Sequence, residues 1–244
     1  MDQLEGRNVV LAALEAGGRV RQVWVDRQAR PNPKLSRIEE LARSQGAGWV
    51  LVARAELDAV SRTDIHNGMI AFARPLPKYS LKAVLDRVEA EGRDPFILLL
   101  DQVQYEQNLG AILRTAAAAK VDAVVIPTRR GASMSPTVQR VAMGGAERVP
   151  LIRESMTSAT ATLRRRGLRL ICAEADGGTD YWDVDFSGPL AIAMGGEDRG
   201  VGPKIRERSE AVVAIPIDRS GPVSSLNVSV ATGLLLFERL RQAR

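Results

Sequence analysis

Cysteine and histidine are almost missing from this chain of 244 residues: Cys172 and His66 are single. A lone thiol excludes an intramolecular disulfide and a cysteine-rich zinc site. A lone imidazole makes catalytic triads and histidine-clustered metals improbable within one chain, so no metal is expected. Cys172 sits in LRLICAEA and reads as a buried strand thiol. No apolar run approaches the ~20 residues that cross a bilayer. The longest candidate, residues 228–237, is interrupted by Ser229, Thr232 and Gly233, and the N-terminal MDQLEGRNVV lacks a basic stretch followed by an apolar one. A cytoplasmic enzyme is therefore the expectation. Nucleotide fingerprints are lacking too. The glycines at 195, 196, 200 and 202 do not follow the GxGxxG spacing of a dinucleotide loop, and no Gly-Lys-Ser/Thr follows them.

What is present is ordinary globular composition, 45% hydrophobic and 26% charged, in a chain long enough for one large or two small domains. The net charge of +5 and a pI of about 9.8 point towards a polyanionic partner. The excess is spread along the chain, +2 over residues 1–75 and +3 over the rest, so a nucleic-acid surface must come from local clusters. Candidates are Arg19 with Arg21; Arg27, Arg30, Lys34 and Arg37; Arg129 with Arg130; and Arg164 to Arg166. Taken alone, each reads as a solvated face before it reads as a phosphate clamp.

Periodicity predicts a helix over 7–16 stopped by Gly17-Gly18, a strand over 20–26, a helix near 34–46, a strand over 49–53, a short helix at AELDAVS and a strand over 69–74. This first α/β domain, residues 1–75, has no Gly-rich phosphate loop and reads either as a binding module or as a packing domain. Pro75 and Pro77 mark a boundary, and residues 76–94 read as a polar, helical linker. The second domain, 95–244, opens with the apolar run FILLLD and continues in alternating helices and strands. That order predicts a mostly parallel sheet with helices on both faces. The last helix is apolar on nearly every side in its first half, the mark of a buried helix.

Ligands of such sheets sit beyond the carboxyl ends of the strands. Three stretches lie there: QNLGAILRTA after Asp101, GGEDRGVG after Met194, and SGPVSSLN after Ile217. Ser224, Ser225 and Asn227 face the positive end of the final helix, where Ser225 could cap and Asn227 fill the first turn, or both could contact a ligand. Asn108 can cap its helix. Arg114 follows six residues on, about 9 Å along the axis, yet its long side chain could return to the same cleft. Turn formation accounts for the glycines at 195–202 but not for Glu197-Asp198 among them.

In this order, D-x-V…NLGAILRTA, AMGGEDRGVG and IPIDRSGPVSSLNVSVATGLLLFE resemble the three motifs of the SpoU (TrmH-like) branch of the SPOUT superfamily. Within it, HNGMIAFARP and MGGAERVPLIR are similar to the RlmB-type 23S rRNA guanosine-2′-O-methyltransferases. The chain departs from the family pattern at Tyr105-Glu106, usually Asp-Pro, at Ala119-Lys120, usually aromatic-Gly, and at Asn67, usually Gln. The unaided expectation is an ordinary doubly wound sheet, since knots are essentially absent from proteins. The resemblance instead implies a SPOUT domain with a parallel sheet and a deep trefoil knot, preceded by a small RNA-binding α/β domain.

The resemblance further implies S-adenosyl-L-methionine as cofactor, held near Gly195, Gly196, Gly200, Ile215 and Leu226. It implies catalysis by Arg114, Asn108, Glu197, Ser225 and Asn227, with Arg114 activating the ribose 2′-hydroxyl. The partners it implies are 23S rRNA and a second copy of the chain, with no membrane and no DNA; His66 and the basic residues of the first domain would dock the RNA. Alternatives are the same chemistry on tRNA or on a resistance-conferring rRNA site, a non-catalytic RNA-binding or ribosome-assembly protein, and, more remotely, a nicotinamide oxidoreductase.

Overall fold

A computed structural model describes residues 1–197, 199–218, 220 and 225–243. Two compact units divide the chain, Met1–Pro77 with Met134–Arg148 and Lys78–Ser133 with Val149–Arg244.

The first unit runs through β1 (Asp2–Glu5), α1 (Arg7–Ala16), β2 (Val20–Asp26), α2 (Pro33–Ser44), β3 (Gly48–Val52), α3 (Arg54–Val60) and β4 (Met69–Ala73). Its sheet has the order β1-β4-β2-β3, with β4 antiparallel to both neighbours and β2 parallel to β3. Local chemistry sets the ends. The Asn32 side chain accepts from the Leu35 N–H at 3.0 Å to cap α2, with Pro33 next to it, and Gly17 at φ 89 stops α1. Leu4, Val10, Leu14, Val23 and Ile38 form the core. β1 is the strand that periodicity does not announce, four residues with three buried in a row, including Glu5.

The second unit contains α4 (Leu81–Ala90), β5 (Phe96–Asp101), α5 (Glu106–Ala118) and β6 (Ala123–Ile126). After β6 the chain supplies α6 (Pro136–Ala142) and α7 (Gly145–Arg148) to the first unit. It then completes the second with β7 (Leu151–Arg153), α8 (Met156–Arg165), β8 (Arg169–Ala173), β9 (Thr179–Asp180), a 3-10 turn (Tyr181–Asp183), β10 (Leu190–Gly195), α9 (Pro203–Arg206), β11 (Ala211–Ala214) and α10 (Val228–Gln242). The sheet order is β7-β6-β5-β10-β8-β11-β9, and every described pairing is parallel. β5 is buried along its whole length, as its unbroken apolar run predicts.

Three expectations change here. Residues 76–94 are not simply a linker, because α4, capped by Ser80, buries Leu81, Val84, Leu85 and Val88 in the core of the second unit. Residues 134–148, expected with the second domain, pack in the first, where Arg19 is buried against Glu147. Its guanidinium donates from Nε to the Glu147 carboxylate at 2.9 and 3.1 Å, and from its other nitrogens to Asp2, the Arg74 carbonyl and Gln139. Arg19 is thus a structural group rather than a phosphate clamp. Finally, α10 is not apolar-buried on all sides. It buries Val228, Leu235 and Leu236 but exposes Val230, Leu234 and Phe237, which lie along one face at helical spacing.

Candidate functional site

The carboxyl ends of β8, β10 and β11 and the start of α10 border a cleft of about 220 Å³, partly open to solvent. Met194, Ile215, Ile217 and Leu226 give it apolar walls, and Glu174, Glu197 and Ser225 give it polar ones. The predicted loops therefore meet where strand order places a ligand. Ser224, Asp198 and the first residues of PVSSLN lie outside the described residues.

The loop after β10 folds back on itself. Gly196 and Gly200 form a backbone bridge, and the Gly200 N–H donates to the Gly196 carbonyl at 3.0 Å. A Cβ on Gly195 would overlap the Gly200 and Val201 backbone, and one on Gly196 would overlap the Gln102 carbonyl. The two glycines are thus required by close backbone approach, which leaves main chain rather than side chains as the rim of the cleft. Two carboxylates pin the fold-back: the Val201 N–H donates to Glu174, and the Gly202 N–H to Asp101 Oδ2 at 2.9 Å. Sequence reasoning missed Glu174. Its signal is legible afterwards, an acid directly following the apolar strand LICA at a strand's carboxyl end.

At the cleft's edge three of the predicted side chains touch. Asn108 Nδ2 donates to Glu197 Oε1 at 2.7 Å, and Asn227 Nδ2 donates to Asn108 Oδ1 at 3.0 Å and lies 3.4 Å from Glu197 Oε1. The capping assignments change with this. α5 starts at Glu106 after Tyr105, so Asn108 is a first-turn residue free to bond Glu197 rather than a cap. Asn227, not Ser225, caps α10, its Oδ1 accepting the Ser229 N–H at 2.9 Å. Asn227 consequently fixes the start of α10 and orders the cluster at once. Asn108 and Glu197 also line a smaller hollow, beside Gln102, Tyr105 and Arg199, which are exposed or half-buried.

Arg114 is not brought to this cluster. Its side chain is exposed, and no hydrogen bond or ion pair joins it to another described residue. His66, expected to meet RNA, is buried at 2% exposure with Nε2 2.8 Å from Asp58 Oδ1 and offers no face to a ligand. The Cys172 thiol is buried in β8, and burial, with Glu174 nearby, pushes it up to about 12, so it carries no nucleophile into the cleft. Among the described residues no group of His, Cys, Asp and Glu could hold a metal ion, and no helix is long and apolar enough to cross a membrane.

Known proteins share this sequence and this architecture. The SpoU rRNA Methylase family matches residues 95–237, and the RNA 2′-O ribose methyltransferase substrate-binding family matches residues 3–79. The 23S rRNA (guanosine-2′-O-)-methyltransferase RlmB of Pseudomonas putida is 37% identical over 99% of this chain and 98% of its own length. A crystal structure of an RNA 2′-O ribose methyltransferase superposes with a TM-score of 0.80 at 29% identity, over 99% of this chain and 88% of that one. The SpoU methyltransferase AviRb from Streptomyces viridochromogenes, solved with the cofactor AdoMet, has the same fold, with a TM-score of 0.80 at 24% identity over 99% and 89%. With one profile spanning the parallel-sheet unit, a second spanning the first 79 residues but for two, and a relative similar from end to end, the chain belongs to the SpoU rRNA methylase family.

Proposed function

We propose that this protein transfers the methyl group of S-adenosyl-L-methionine to a ribose 2′-hydroxyl of RNA, that of a guanosine in 23S rRNA. The observation that carries the reading is the joined cluster of Asn108, Glu197 and Asn227 at the mouth of the cleft. Three residues far apart in sequence converge there on a polar edge beside apolar walls, as one ligand with an apolar ring and one with hydroxyl groups would require.

The cleft fits the cofactor by its chemistry. Backbone around Gly195, Gly196 and Gly200 forms a thin rim that an added Cβ would disrupt, Ile215 and Leu226 offer apolar surface for a flat ring, and Glu174 and Ser225 offer partners for hydroxyl and amine groups. When bound, the cofactor supplies an electrophilic methyl on a sulfonium. The chain's task is then alignment and proton management at a weakly acidic hydroxyl. Glu197, held by two amides, fixes Asn108 and Asn227 so that these can orient the ribose; Ser225 lies on the cofactor side of the same edge. Arg114 is the group that stabilises the developing alkoxide. A guanidinium remains protonated at neutral pH, so charge stabilisation is the role its chemistry favours over that of a base.

Exposure of Arg114 and of the apolar face Val230, Leu234 and Phe237 supports a homodimer, in which a two-fold contact through α10 completes the site. The deep trefoil knot that the resemblance implies for residues 95–244 belongs to the same proposal. The first unit, Met1–Pro77 with Met134–Arg148, binds the RNA, the second carries the chemistry, and the enzyme works in the cytoplasm.

The test is transfer of labelled methyl from S-adenosyl-L-methionine to 23S fragments and tRNA in parallel, with the modified ribose mapped. Label at a guanosine 2′-O of 23S RNA is the expected result. Label confined to tRNA would keep the chemistry and overturn the substrate. Cofactor binding with no transfer to free RNA or assembled ribosomal particles would favour a silent RNA-binding protein.

A further inference from the structure

The first unit has a hollow of its own, about 650 Å³ and partly open to solvent, at the start of α1. Four cations line it: Arg7 of α1, Lys34 of α2, Arg54 of α3 and Arg140 of α6. Two of them are incompletely used. The Nε atoms of Arg7 and Arg140 are shut away from solvent and have no hydrogen-bond partner among the described residues. Lys34 is exposed and donates only to the Asn8 Oδ1 at 2.7 Å, while Arg54 stands 3.7 Å from Asp26.

The backbone adds to this charge. α1 begins at Arg7 after Gly6, which supplies no side-chain cap, and no acidic residue occupies the first turn, so the positive end of the helix opens into the hollow. Asn8, Asn32 and Asn67 surround it with amides that can donate. The one carboxylate in the lining, Glu5, is already committed. It accepts from the Thr63 hydroxyl and N–H, the Arg62 N–H, the Ser61 hydroxyl and the Gln3 amide. What remains is a concave surface with several donors and little acceptor capacity.

We propose that this hollow seats the phosphodiester backbone of the RNA substrate, and that Arg140, which lies outside the stretch matched as substrate-binding, completes it. The inference rests on the reading of the protein as an RNA methyltransferase. It also gives residues 134–148 a purpose, since their return to the first unit delivers a fourth cation to the lining of the hollow. Phosphodiester oxygens are attracted by the charges of Arg7, Lys34, Arg54 and Arg140 and accept from the helix N–H groups without any requirement for a base, so the site orients RNA rather than reads it.

The experiment uses the full chain and a labelled rRNA transcript, with the dissociation constant read by fluorescence anisotropy over a range of salt concentrations. Arg140→Gln and Lys34→Gln should each weaken binding several-fold and lower the slope of log affinity against log salt by about 0.7 to 1. The control Arg43→Gln removes equal charge from an exposed pair with Glu39 outside the hollow and should leave both quantities as in the wild type. Affinity for S-adenosylhomocysteine and the melting temperature show whether a variant has merely misfolded; Lys34, being exposed, keeps the test valid if Arg140→Gln does not fold. Wild-type affinity and slope in Lys34→Gln and in folded Arg140→Gln would overturn the proposal, as would an effect of Arg43→Gln equal to theirs. Displacement of the RNA by polyglutamate as readily as by unlabelled RNA would overturn it in favour of an acidic protein partner. Absence of methyl transfer by the wild type would instead strike at the enzymatic reading, a separate measurement.

Discussion

Both units bury charged and polar groups, yet they treat them differently. In the first unit Glu5 and Arg19 lie inside the protein with their valences filled: Glu5 by five donors and Arg19 by Glu147, Asp2, Gln139 and a carbonyl. In the second unit Asn108, Glu197 and Asn227 sit beyond the ends of the parallel strands, where they bond one another but stay half-buried or exposed. A filled network deep in the protein fixes a conformation, whereas a partly filled one at a cleft retains capacity for a ligand. The difference separates polar residues that hold the fold from those available for chemistry, a distinction residue type alone does not make.

That contrast can be broken by substitution. Arg114→Ala, which changes an exposed group with no described partner, should lower methyl transfer by about two to three orders of magnitude. Affinity for S-adenosylhomocysteine and the melting temperature should be nearly unchanged, and wild-type turnover would remove Arg114 from the mechanism. Arg19→Ala should act in the opposite sense, destabilising the first unit by about 3 kcal/mol, because it leaves the buried Glu147 carboxylate unpaired. Urea denaturation measures this, and cofactor binding by the surviving folded protein should persist.

Gly195→Ala should cost about 1 to 3 kcal/mol of loop stability, since a Cβ there meets the Gly200 and Val201 backbone, and should weaken cofactor affinity more than RNA affinity. Calorimetric titration with each ligand separates the two. A smaller effect concerns acid. Burial alone would raise the Glu5 carboxyl, but the bonds from Thr63, Arg62, Ser61 and Gln3 outweigh it and hold the group below its ordinary value. A carboxyl depressed in the folded state stabilises the protein above its unfolded pKa and loses that contribution as pH falls through the folded one. The wild type should therefore lose stability below about pH 4.5 more steeply than Glu5→Gln, which starts lower and has a flatter profile. Equal slopes in pH-dependent denaturation would show that Glu5 is not the group responsible.

Much of the architecture is legible from residue order. FILLLD predicts a strand covered on both faces, and β5 is that strand; Gly17-Gly18 predicts a helix end, and α1 stops there. The strand-end rule places the three loops together before any coordinates, because their position follows from chain direction in a parallel sheet. Illegible were β1, too short to show a period, and the burial of His66 and Arg19, whose types suggested a surface role. The roles of Asn108 and Asn227 were interchangeable with simple capping until their side chains were seen to share Glu197.

By itself, then, the sequence determined the alternation of elements, the parallel sheet and the loops that meet at its carboxyl edge, because these depend on local propensity and on periodicity along the chain. Only the tertiary structure decided that residues 134–148 belong to the first unit, that α10 leaves one apolar face uncovered, and which polar residues are filled and which are open. Those outcomes depend on contacts between residues distant in sequence, such as Arg19 with Glu147 and Asn108 with Asn227, and no pattern along the chain encodes a pairing whose partners are set by the packing of everything between them.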